Sequence, residues 1–285
     1  MFRVIRIELL KAARRRLNLV LLLVVCALSG GAYGLAFLLW SRGMAIQGAS
    51  GRALSSSEVL GIFSFPASAL GSLDVSRQVM VWLAIVMTAT TVGMEDSCGT
   101  LRLVFAAGVR RQSYLGAKLL TLGLAELVVL LAGALSGTLA ATALWWAAGH
   151  GASAVVQDPG GSVVRLLLAS SATLAFPTAL TFFATVAARS QVTGVAVGAA
   201  WYVLESVAGQ ALTIAGHLPT YAQAALPGAD GEVLLRAAHR TGIVSPAGGP
   251  SWEIALLVVL CYVAALLAAA AVLVSRRDVG RGGPA

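Results

Sequence analysis

Charge is scarce in this chain: Asp, Glu, Lys and Arg make up 11% of 285 residues, against 58% hydrophobic side chains. Soluble domains carry about twice that charged fraction, so this composition and the mean hydropathy of +0.86 exclude a soluble core. Lysine occurs only as Lys11, after Leu10, and Lys118, after Ala117. No Gly-Lys-Ser/Thr phosphate-binding loop is therefore encoded, and any ATP used must be bound and hydrolysed by another polypeptide. The three cysteines, Cys26, Cys98 and Cys261, fall in a span, a charged segment and another span, which excludes a disulfide framework. His150, His217 and His239 lie in loops without Cys or carboxylate at ligand spacing, so no metal site is expected.

What the chain has instead is long apolar runs. About 20 such residues cross a hydrocarbon layer of about 30 Å, and runs of that kind lie near 17–40, 76–94, 117–144, 164–187, 191–213 and 253–275. Six spans place both termini on one side. The second run is short unless it extends back past Arg77, and Pro66 with Gly61 and Gly71 makes 59–73 an interfacial stretch rather than a further span.

The net charge of +8 is a topology signal. Six Lys/Arg precede the first span, four lie in 95–118, one is Arg189 and three follow the last span, whereas the other side holds six diluted over longer loops. The positive-inside rule then makes both termini cytoplasmic, and nucleic-acid binding is not expected. The run from Leu17 to Trp40 exceeds the apolar core of a signal peptide, so it reads as an uncleaved span. Before it, Phe2, Ile5, Leu9 and Ala12/Ala13 repeat at helical spacing with Arg3, Lys11 and Arg14 turned away, which suits an interfacial helix over 1–16 on membrane lipid.

The segment 95–117 packs charge between two apolar runs. Glu95 and Asp96 close the second span, a short helix fits from Ser97 to Gly108, and Arg110, Arg111 and Lys118 mark the start of the third. Such a segment is a cytoplasmic handle for a soluble partner.

Within the spans, Glu126 lies about eight residues and Glu205 about fourteen residues deep. A mid-membrane carboxylate costs roughly 2.5–3.5 kcal/mol even on lenient scales, so each either lines a polar pathway or hydrogen-bonds a neighbouring helix. Gly133/Gly137 and Gly194/Gly198 permit close helix approach, and Pro177 interrupts the hydrogen bonding of the fourth span. The 214–252 region, with Pro219, Pro227, Pro246 and Pro250, has room for short re-entrant outer helices. Gly48-Ala49-Ser50-Gly51 fits a serine-nucleophile pattern, but Ser50 is in an outer loop and no span holds a histidine, so a flexible turn is the better reading.

Taken together, the chain resembles the permease subunits of type-2 ATP-binding-cassette (ABC) exporters. The resemblance is carried by Glu95, Gly99-Thr100-Leu101-Arg102, Val109-Arg110-Arg111 and Gly116-Ala117-Lys118-Leu119-Leu120, with the basic start and the Ser275-Arg276-Arg277-Asp278 ending. It implies one all-α transmembrane permease domain over 1–285, with six helices, the interfacial helix and a coupling helix over 97–108 between spans 2 and 3. It also implies a second permease copy or paralogue, two copies of an ABC ATPase subunit that uses ATP and Mg, and residence in the inner or plasma membrane. Under this resemblance Glu95, Gly99, Thr100, Leu101, Arg102, Phe105, Arg110 and Arg111 serve ATPase coupling, and the permease performs no chemistry and binds no cofactor itself. Glu126 and Glu205 are translocation-pathway candidates. The competing reading is an ion- or proton-coupled secondary transporter using those two carboxyls, which internal inverted repeats would favour; residues 1–140 and 150–285 show no such similarity.

Overall fold

The structure, a computed structural model, describes residues 2–44, 54–97, 106–149, 159–215, 227–239 and 252–276. Among the described residues all regular structure is helical: α1 (Phe2–Arg14), α2 (Arg16–Ser41), α3 (Ser56–Phe63), α4 (Ala67–Ser97), α5 (Arg111–Ala147), α6 (Pro159–Ala188), α7 (Gln191–Ala215), α8 (Pro227–His239) and α9 (Trp252–Arg276).

Among the described residues, five helices are long and apolar enough to cross a membrane: α2, α4 as far as Glu95, α5, α6 from Val163, and α9. Helix α7 covers the fifth expected span with 25 residues and is not among these five. The second expected span is longer than 76–94, because α4 starts at Ala67. Asp74 explains how the helix runs through Arg77: its carboxylate accepts from the guanidinium at 2.8 Å, so the charged turn is neutralised within one helix face. Upstream, residues 59–73 do not form one continuous helix. Helix α3 starts on a capping box between Ser55 and Glu58 and ends before the cis Phe65–Pro66 bond.

Helix α5 is the axis of the bundle, with α2 and α4 packed along it. Close approach needs the missing side chains of Gly133 and Gly137: a Cβ at Gly133 would meet Val25 and Ser76 Oγ, and one at Gly137 would meet Ser29 and Ser72, where Ser72 Cβ would be 2.6 Å away. Hydroxyls fasten the same seam, since Ser72 Oγ donates to Ala134 O at 2.8 Å and Ser136 Oγ to Cys26 O at 3.1 Å. The second small-residue pair acts likewise, with Gly194 and Gly198 of α7 set against Thr185 and Thr181 of α6. Pro177 sits inside an α6 that continues past it. The outward faces are apolar; Leu23, Leu28 and Leu35 of α2 and Ile254, Leu257 and Leu260 of α9 are all more than half exposed or close to it, as lipid contact requires.

In the long region between α7 and α9, α8 packs against α6 and α9. The 97–108 coupling helix and the residues Gly99, Thr100, Leu101, Arg102 and Phe105 lie largely or wholly outside the described residues, as does Cys98. The far boundary of that segment is described: Gly108 has φ +81°, the left-handed conformation in which a glycine ends a helix.

A buried charge cluster at the base of the coupling segment

Three helices bring their charges together where the 95–117 segment leaves and rejoins the bundle. Glu95 is in the last turn of α4, Tyr114 and Lys118 are in the first two turns of α5, and Glu8 and Lys11 are on α1. Arg15, extended at φ −72° and ψ 119°, separates α1 from α2 and lets the surface helix turn away from the span. Asn18 Nδ2 secures that corner by donating to Ala12 O at 2.8 Å.

Lys118 is the hub. It is 1% exposed, its Nζ donates to Glu8 Oε2 at 3.0 Å, and Glu95 Oε1 lies 2.6 Å away. Lys11 closes the ring, 2.7 Å from Glu8 Oε1 and 3.5 Å from Glu95 Oε1, while Arg15 approaches Glu95 at 3.8 Å. The Tyr114 hydroxyl donates to the other Glu95 oxygen, and its ring lies beneath the Lys118 ammonium, 5.7 Å from the ring centroid. Burial opposes the charge of Lys11, but its hydrogen bond to Glu8 and the nearby Glu95 carboxylate outweigh that and hold it above the ordinary lysine range. Two carboxylates thus face three basic groups. Removing one partner would leave the others buried and uncompensated, which costs about 3–5 kcal/mol in comparable sites.

This arrangement corrects the orientation expected for α1. Lys11 does not turn away from the protein but joins the cluster, and Glu8 is buried at 4% exposure. Ile7, Leu9 and Leu10 instead point outward. The geometry has a simple mechanical property. Both ends of the 95–117 segment and the surface helix share one set of ion pairs, so none of them moves far without the others.

A family model for ABC-2 family transporter proteins matches residues 4–205. This chain belongs to the ABC-2 transporter family. No curated protein matches it. The match runs from α1 into α7, so the ABC-2 region contains the entire charge cluster and residues 95–117. Membership makes this a multi-pass membrane protein of a transport system, in a family whose membrane chains are typically non-catalytic and associate with an ABC ATPase.

The other expected site residues are placed as follows. Arg110 is exposed and takes the position before the first turn of α5, without a side-chain cap bond. Arg111 is half-buried and reaches across to α9, donating through Nη1 to Val274 O at 2.9 Å and Ser275 O at 2.8 Å. It therefore ties the start of α5 to the last turn of α9, where a cation also suits the helix dipole. Glu126 is buried in the contact between α5 and α6 and accepts from Thr178 Oγ1 at 2.7 Å. Glu205 is half-buried on α7, remote in sequence and fold from the cluster, and accepts from Gly228 N at the start of α8. Glu8, Tyr114 and Arg15 were not singled out by sequence. Glu8 carried a signal all the same, as the only acidic residue among six basic ones before the first span.

Proposed function

We propose that this ABC-2 chain is the permease subunit of an ATP-driven exporter, forming the translocation pathway and coupled to a separate ATPase. The observation that carries the reading is the Glu8–Lys118–Glu95 cluster, which joins the end of α4 and the start of α5, on either side of the 95–117 segment, to the surface helix. In the proposed cycle, two ATPase subunits bind ATP with Mg, their closure displaces the coupling helix, and the cluster passes that displacement to α1, α4 and α5 as one body. A second permease copy or paralogue completes the pathway, with α7 as the sixth crossing and both termini cytoplasmic. Gly99, Thr100, Leu101, Arg102 and Phe105 supply the contact with the ATPase in this reading, while Glu95 anchors the segment from below. Glu126 and Glu205 are the polar groups available to the pathway.

Co-purification tests the docking. Leu101→Asp with Phe105→Asp should release the ATPase while the permease stays in the membrane, and undiminished co-purification of that variant would sink the docking role. Labelling of Cys98 by an impermeant reagent in intact cells would overturn the orientation.

A further inference from the structure

The end of the bundle remote from the charge cluster holds a second pair of ionisable groups, of one sign only. Asp230, in the first turn of α8, is fully buried, and neither of its carboxyl oxygens has a hydrogen-bond partner among the described residues. Glu205 of α7 lies close enough for its charge to act on Asp230, and neither residue forms an ion pair among the described residues. Burial first, and then that neighbouring charge, push the Asp230 carboxyl up to about 7.

The surroundings are shaped around the carboxylates. Gly228 N donates to Glu205 Oε1, and a Cβ at Gly228 would lie 2.6 Å from Glu205 Cδ and 2.7 Å from Oε2, so only glycine lets the carboxylate rest on the start of α8. Gly231, three residues on, brings the same turn against Thr173 of α6, where a Cβ would be 2.8 Å from Cγ2. Trp201 stands one turn before Glu205 on α7. Trp201 belongs to an aromatic group: Phe176 is 5.8 Å from its ring and 5.8 Å from Tyr262 of α9, and Trp201 and Tyr262 both keep exposed ring surface.

We propose that Asp230 and Glu205, with the rings of Trp201, Phe176 and Tyr262 beside them, form a recognition site for an organic ammonium group carried by the transported molecule. The proposal rests on the permease reading for the word transported, and on the geometry alone for the site. Two adjacent carboxylates without a basic partner attract a cation, and aromatic faces favour a weakly hydrated organic one. A hard divalent ion fits less well, because the described residues provide no cluster of three His, Cys, Asp or Glu and such ions take six or more oxygen ligands. Packing of α8 onto α6 and α9 gives the site a way to sense its occupant, since the same first turn carries Gly228, Asp230 and Gly231.

The test uses the full-length chain in lipid nanodiscs without any ATPase, titrated at pH 8 with phenethylammonium and with uncharged phenethyl alcohol as its control. Saturable binding of the ammonium, at least tenfold weaker for the alcohol and at least tenfold weaker in Asp230→Asn and in Gly228→Ala, is expected; Asp230→Glu should retain most of it. Equal binding of the ammonium and the alcohol, or unchanged binding in Asp230→Asn, would overturn the site. So would the absence of ammonium binding in a wild-type chain whose thermal midpoint falls as pH rises and whose Asp230→Asn variant does not respond, since the pair would then simply share a proton. Because no ATPase is present, binding that persists in a wild-type chain that co-purifies with no ATPase would refute the exporter reading and leave the site standing; the reverse pattern would refute the site alone.

Discussion

The two ends of this bundle treat buried charge in opposite ways. At the coupling end, Glu8 and Glu95 are met by Lys11, Lys118 and Arg15, every group within 4 Å of an opposite charge. At the α8 end, Glu205 rests on the Gly228 N–H, and Asp230, two residues further on, is buried without a hydrogen-bond partner among the described residues. Compensated charge at a helix junction makes a permanent tie, because breaking one pair exposes the rest to the full desolvation cost. Uncompensated charge does the reverse: it leaves the local packing dependent on what neutralises it, whether a proton or a cation. A transporter needs both, a stiff link where mechanical work enters and a responsive surface where an occupant is felt.

Lys118→Met should give the largest effect, a loss of about 3–5 kcal/mol in the stability of the purified chain, because two carboxylates stay buried without their hub. Lys118→Arg should recover part of it. A loss below about 1 kcal/mol would mean that the coupling end is no more rigid than an ordinary surface pair.

Asp230→Asn should shift stability the other way, and its sign separates the two ends. The folded carboxyl titrates at about 7, above its ordinary 3.8, so the proton favours the folded form fully below 3.8 and that contribution is lost as pH rises toward 7. The wild-type midpoint should therefore fall between pH 5 and pH 8 by on the order of a few degrees, and Asp230→Asn should flatten that dependence while leaving the midpoint at pH 8 equal or higher. A midpoint that drops at pH 8 in the variant would show that the Asp230 carboxyl is compensated after all.

Arg111→Gln should have the smallest effect, about 1 kcal/mol or less, since its bonds to Val274 O and Ser275 O are partly open to solvent. It sharpens the contrast, as it removes a charge from the coupling end without touching the buried ring. An effect as large as that of Lys118→Met would make the number of charges, rather than their burial, the source of rigidity.

The apolar runs and the small-residue pairs were legible in the sequence because they follow local rules, and the structure sets Gly133, Gly137, Gly194 and Gly198 against neighbouring helices. Gly108 takes the left-handed conformation that its glycine permits. The start of α4 was not, because hydropathy counts Asp74 and Arg77 as two charges and cannot see them cancel at 2.8 Å. The cluster was the hardest to read. Lys11 and Lys118 appear in the letters as topology signals, and no periodicity connects Lys118 to a glutamate 110 residues earlier. Asp230 sits in a Pro- and Gly-rich region whose helix is short, so its burial depends on tertiary packing against α6 and α9.

The central claim is that α1 and the base of the coupling segment are fastened through Glu8 and Lys118, and a double-mutant cycle tests it most directly. Unfolding free energies of the wild type, Glu8→Gln, Lys118→Met and the double variant would be measured in mixed micelles under one set of conditions. The account predicts strong non-additivity, a coupling energy of about 1.5 kcal/mol or more, with the double variant more stable than Lys118→Met alone. Additive losses, agreeing within about 0.5 kcal/mol, would contradict it.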